Sequence, residues 1–183
     1  DADWRTTQCF KGEGDRSALV GPNTVSLGGS EYLMSLHGRL AGRIASLDLD
    51  LERVVQAACR AAIEAGLLAS AHDLAEGGLA IALAEACVTG PAPLGADVEI
   101  PAGGTRHDLA LFGEGPSRIL VSVPAERVRH FERLMQEFSV PWRFIGTVGG
   151  DRLSIRVGGS SLINLSLEQV SSAWRNGFAK HVA

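Results

Sequence analysis

Short β-branched runs alternate with amphipathic helical periods along most of this 183-residue chain. That alternation restricts it to a sheet covered by helices. The clearest helical period spans 51–67. Leu51, Val54, Val55, Ala58, Ala62 and Ile63 repeat at the spacing of one helix face, Asp50 is placed to cap the start, and Gly66 is placed to close the end. A short strand over 68–71 follows, then a helix from about Glu76 to Val88. Upstream, 17–21 reads as a strand running into Gly-Pro-Asn, and 30–40 as a helix with Ser30 at its N-cap. Downstream, 98–100 reads as strand, 108–112 as a helical turn and 119–123 as a β-branched strand. Residues 125–138 form a helix with Val128, Phe131, Met135 and Phe138 on one side. The runs 144–148 and 153–157 read as strands, and the Gly149-Gly150-Asp151 between them predicts a hairpin. Ser166 and Gln169 have capping-box spacing and open a last helix with the stripe Val170, Ala173, Trp174 and Phe178. A hairpin interrupting the alternation predicts a mixed sheet rather than a strictly parallel one. Residues 1–16 read as a strand or linker from an upstream domain, and 17–183 as one domain.

Composition narrows the function classes. A net charge of -4 leaves no basic footprint for nucleic acid and nothing to attract an anionic membrane. No apolar run approaches a membrane span, and the start at Asp1-Ala2 carries no signal-peptide pattern. Cys9, Cys59 and Cys87 are an odd set without paired spacing, which argues against disulfides; Cys59 and Cys87 lie in apolar helical patterns and read as buried, and a reducing, cytoplasmic setting follows. There is no phosphate-binding P-loop, no GxGxxG after a strand, no HExxH, no CxxC and no serine elbow, so no catalytic or metal-ligating residue is assigned.

Four local strings stand out. In Leu27-Gly28-Gly29-Ser30-Glu31-Tyr32, Gly28 and Gly29 precede a helix cap at Ser30. Such a turn is either a plain glycine-rich cap or a seat for a phosphate or carboxylate on helix amides. In Ala69 to Leu79, Asp73 and Glu76 have N-cap and N3 spacing, while Gly77 and Gly78 weaken the first helical turn. Close packing or exposed amides would each explain two glycines there. His72 stands where a strand ends and a helix begins, within reach of a ligand. In Leu111 to Arg118, Glu114 and Arg118 are either solvated turn charges or residues that anchor an interface and orient the neighbouring loops. Ile145 to Gly149 reads as strand and turn.

Together these strings resemble the AIR-synthase-related superfamily, and more narrowly the C-terminal domain of the phosphoribosylformylglycinamidine synthase II family. SAHDLAEGGLAIALAEA is the most specific, and FKGEGDRSALVG, LGGSEYL, LFGEGPSRILVSV and FIGTVGGDRLSI occur in the family's order from about Phe10 to Phe178. Ala75 and Gly115 depart from the pattern, where Ser is common in the family.

The resemblance implies a three-layer α/β/α fold with a mixed sheet. It also implies one domain of an ATP-dependent ligase that makes formylglycinamidine ribonucleotide from formylglycinamide ribonucleotide and ammonia. Gly28, Gly29, Ser30, His72, Asp73, Gly77 and Gly78 would line a substrate cleft, with Glu114 and Arg118 orienting loops or an interface. ATP and Mg²⁺ would serve the whole enzyme, none being expected on this domain alone. Upstream domains, a glutaminase subunit and a small accessory subunit would be its partners. A scaffold role is the alternative. So is the equivalent domain of aminoimidazole ribonucleotide synthetase, selenophosphate synthetase, thiamine monophosphate kinase or the hydrogenase-maturation dehydratase.

Overall fold

The computed structural model describes residues 5–101 and 103–182, and for 178–182 the backbone alone. In chain order the elements are β1 (Arg16–Val20), α1 (Glu31–His37), α2 (Leu49–Glu64), β2 (Ser70–Asp73), α3 (Gly78–Val88), β3 (Ala96–Ile100) and α4 (His107–Phe112). Then come β4 (Ile119–Val123), a 3-10 turn, α5 (Val128–Glu137), β5 (Trp142–Val148), β6 (Arg152–Val157), β7 (Ser160–Ser166) and α6 (Leu167–Val182). The strands form one sheet in the order β2-β4-β1-β5-β3-β6-β7. Neighbours are antiparallel except for β3 and β6, which run parallel.

The strand period of two sends alternate residues to opposite faces, and each face has its own core. On one, Val55, Ala58 and Ala62 of α2 and Phe131 and Met135 of α5 pack on Ala18, Val20, Val121 and Val123. On the other, α3, α4 and α6 bring Leu79, Leu83, Leu111 and Val170 onto Leu19, Leu120, Val98 and Ile155. This is the expected three-layer arrangement around a mixed sheet. The α2/α5 layer stops short of the β3-β6-β7 end. There the outward residues are charged: Arg156 meets Asp97 at 2.8 Å and Glu99 at 2.8 Å. The Arg156 hydrogen bond holds the Glu99 carboxyl below its usual range.

Three local expectations are corrected. The Gly149-Gly150-Asp151 turn does not close a hairpin, because β3 lies between β5 and β6 and pairs with both. The turn instead straddles Gly95, whose amide donates to the Gly150 carbonyl (2.9 Å) and whose carbonyl accepts from the Gly149 amide (2.7 Å). The true hairpin is β6–β7 at Gly158-Gly159, and its mostly polar second strand shows no apolar alternation to read. The cap of α2 is Asp48, whose carboxylate accepts from the Asp50 and Leu51 amides at 3.0 and 3.1 Å. The cap of α3 is Gly77 in the left-handed region, with no side-chain cap; Asp73 is the last residue of β2.

Ser30 and the Ser166/Gln169 box cap α1 and α6 as expected. Of the α6 stripe, Val170 is buried, Ala173 and Trp174 are exposed, and the Phe178 side chain lies outside the described residues. The 5–15 segment packs on the domain. Thr7 bridges Ser70, and the buried Phe10 donates its amide to the Ala86 carbonyl. By contrast, Leu36, Leu40, Ile44, Leu47 and Leu49 are 54–74% exposed, an apolar run left uncovered. Among the described residues no helix is long and apolar enough to cross a membrane.

Candidate functional site: a glycine rim tied by Glu114

The two glycine-rich turns meet on one rim of the fold, and Glu114 joins them. One carboxylate oxygen of Glu114 accepts from the Glu31 amide at 2.9 Å and from the Gly77 amide at 2.8 Å. Its backbone pairs with Ser26 in both directions at 2.9 Å. A residue between α4 and β4 therefore fixes the entries of both α1 and α3. The amides of a first helical turn have no partner within the helix and favour negative charge. Here the chain supplies that charge itself.

The amides of the turn that leads into α1 are also engaged. Gly28 donates to the Ser26 hydroxyl (2.9 Å), Gly29 to the Ala41 carbonyl (2.9 Å) and Ser30 to the Leu27 carbonyl (3.1 Å). The fully buried Ser30 hydroxyl donates to the Leu27 carbonyl at 2.6 Å and accepts from the Leu33 amide at 3.3 Å. The Gly28–Ser30 turn is thus held by bonds within the chain. Gly78 explains the second pair of glycines. Its φ is +63°, and a Cβ there would lie 2.7 Å from the Gly113 carbonyl oxygen and 2.9 Å from the Phe112 carbonyl carbon. The N-terminus of α3 is pressed onto the end of α4, and Tyr32 of α1 stacks on Phe112 with ring centroids 4.9 Å apart.

Arg118 belongs to the same loop system. It is 7% exposed, and its guanidinium donates to the Gly113 carbonyl at 3.3 Å while its own carbonyl accepts from the Leu74 amide. Burial, with Arg143 nearby, pushes the Arg118 guanidinium down to about 10.

His72 is not in this cluster. Its Nε2 donates to the Glu85 carboxylate at 2.7 Å, and Asp73 stands 3.6 Å from Nδ1. Glu85 lies on the second half of α3, about 10 Å along the helix from Gly78 at 1.5 Å per residue. His72 and Asp73 instead border a shallow groove with Thr6, Thr7, Thr89 and Pro91. Sequence reasoning missed Glu85, which looks like any helix carboxylate. It also missed Arg143, whose signal is a charge at an inward position of the otherwise apolar β5. Among the described residues, no three His, Cys, Asp or Glu side chains gather as a metal ion would require.

Topology and rim together make this an α/β domain of the AIR-synthase type. The chain belongs to the family described as AIR synthase related protein, C-terminal domain, which matches residues 12–158. It is 47% identical over 176 residues to the phosphoribosylformylglycinamidine synthase subunit PurL of Anaeromyxobacter dehalogenans, covering 92% of this chain and 22% of that protein. To the subunit PurL of Moorella thermoacetica it is 46% identical over 166 residues, covering 91% and 22%. The chain therefore spans about a fifth of the length of these relatives. Among solved structures, Thermotoga maritima PurL complexed with FGAR superimposes with a TM-score of 0.76 at 17% identity, covering 92% of this chain and 30% of that one. At that identity the likeness speaks for the fold. The same protein has been solved complexed with ATP and as the assembly PurLQS.

Proposed function

We propose that this chain is one domain of the synthetase subunit of a phosphoribosylformylglycinamidine synthase. The whole enzyme joins ammonia to formylglycinamide ribonucleotide at the expense of ATP, giving the amidine, ADP and phosphate. The amide oxygen is phosphorylated, and ammonia displaces the phosphate from the resulting iminophosphate. The observation that carries this reading is close sequence kinship with PurL subunits along nearly the whole chain. In this role, Gly28–Ser30 and Gly77–Gly78 form a rim that walls a cleft completed by other domains. Glu114 and Arg118 hold that rim in register, and His72 and Asp73 border the groove beside it.

ATP and Mg²⁺ do not fit the residues present. The described residues hold no cluster of metal-ligating side chains, and the Glu114 carboxylate already occupies the Glu31 and Gly77 amides at the two helix entries. The upstream domains of the synthetase would supply ATP and Mg²⁺, and a glutaminase subunit with a small accessory subunit would deliver ammonia in the cytoplasm. The exposed apolar run from Leu36 to Leu49 favours a second, compatible role in holding neighbouring domains. The test is turnover. The full-length synthetase should release ADP only when ATP, ammonia and formylglycinamide ribonucleotide are all present, and the 183-residue chain should release none. A full-length protein whose ADP release ignores the ribonucleotide would overturn the proposal.

A further inference from the structure

Two arginines share one face of the sheet, and among the described residues no carboxylate pairs with either. Arg143 is paired in register with Leu19 of β1, and Leu19 is in turn paired with Leu120 of β4. Trp142 and Phe144 beside it pack on the α2/α5 side, so Arg143 points to the α3/α4 side. Arg118 immediately precedes β4, and Ile119 packs on the α2/α5 side, so Arg118 also points to the α3/α4 side. Both guanidiniums line a cleft of about 280 Å³, with Asn23 and Thr105 as polar neighbours and Leu79 and Ile100 as apolar wall.

Their hydrogen bonding is incomplete. Arg118 has one long bond, to the Gly113 carbonyl at 3.3 Å. Among the described residues the buried Nε of Arg143 has no partner. Among the described residues neither arginine forms a salt bridge. Burial lowers the basicity of both, and the charge of Arg143 lowers that of Arg118 further. Arg118 is buried and Arg143 half-buried, and holding like charges partly out of water without a counter-ion is costly, a cost that a bound anion lowers. A guanidinium presents parallel N–H groups that match two oxygens of one phosphate, and two such forks facing one cleft define an oxyanion seat.

We infer that the Arg118–Arg143 cleft binds a small oxyanion, the phosphate group of a sugar phosphate or free inorganic phosphate. The inference stands on this geometry and does not depend on the ligase reading. The seat lies behind the glycine rim and shares Arg118 with the loop that Glu114 anchors, so occupancy would also stiffen that loop.

The experiment is calorimetric titration of the 183-residue chain with inorganic phosphate and with ribose 5-phosphate at constant ionic strength. It compares the wild type with Arg143→Met and Arg143→Lys. Saturable binding is expected in the wild type, at least roughly tenfold weaker in R143M and intermediate in R143K, which keeps the charge but not the fork. Tighter binding of ribose 5-phosphate assigns the seat to a sugar phosphate, and equal binding assigns it to free phosphate. In phosphate-free buffer R143M should melt no earlier than wild type, because it removes a half-buried charge that has no salt-bridge partner among the described residues. The inference is overturned if neither anion binds, if R143M binds as tightly as wild type, or if R143M melts earlier in phosphate-free buffer.

Discussion

Truncating Glu114 tests the central structural claim, that one carboxylate ties two helix entries. Glu114→Ala strands two amides at once. The Gly77 amide is buried, and leaving it without an acceptor costs about 1–3 kcal/mol. The Glu31 amide sits on an exposed residue and can turn to water, so its loss adds only about 0.5 kcal/mol. The sum is about 1.5–3.5 kcal/mol, or a fall in Tm of roughly 3–14 °C for a chain of this size. Glu114→Gln keeps an oxygen where both amides point but gives up its charge. Because neutral bonds are roughly half as strong as charge-assisted ones, it should cost about 1 kcal/mol. Urea melts of the 183-residue chain measure both values, with an unchanged m-value showing that the native state stays compact. Hydrogen exchange should show the Gly77 amide opening faster in E114A. The reasoning fails if E114A lies within about 0.5 kcal/mol of wild type, or if E114Q costs as much as E114A.

Gly78→Ala should be far more damaging, at least about 3 kcal/mol or no folded protein, since its Cβ would strike the Gly113 and Phe112 backbone at a positive φ; a circular-dichroism melt decides it. Burial raises the Asp15 carboxyl above its usual range, so ionising it opposes folding, and its contribution is complete below about pH 4 and lost as pH rises through the folded-state value. Asp15→Asn should accordingly raise Tm at neutral pH, with an advantage that shrinks to nothing near pH 3; a constant difference across pH would contradict this. His72→Ala breaks the bond to Glu85 and should cost this chain about 1–2 kcal/mol in denaturant melts. A full-length variant that keeps its stability yet loses kcat/KM would instead place the imidazole at the substrate.

Much of the fold was legible because periodicity and caps are local signals. The α2 face, the β4 strand and the Ser30 and Ser166 caps are all written within a few neighbouring residues. The errors arose where the deciding partner is distant. Gly149-Gly150-Asp151 announces a turn correctly, but nothing near it says that β3 occupies the place beside β5. Asp48 and Asp50 are both good caps by composition, and the choice between them depends on where the helix meets the sheet. At the rim, the glycines marked the turns, yet the group satisfying them is Glu114, remote in sequence from Glu31 and Gly77 alike. The Arg118–Arg143 pairing was equally hidden, since register across β1 alone brings the two together.

The insertion of β3 between β5 and β6 also constrains how the chain can fold. A hairpin closes itself as soon as its turn forms, whereas this arrangement offers no such short cut. The middle strand is made early and has both edges unsatisfied until β5 arrives on one side and β6 on the other. Bringing those edges together means closing long loops before any pairing energy is returned. Refolding on a scale of about milliseconds to seconds follows, rather than the microseconds open to helical bundles. On a ribosome, β3 would wait with bare edges until the C-terminal third of the chain emerged, and that waiting interval is when mispairing with another copy would compete.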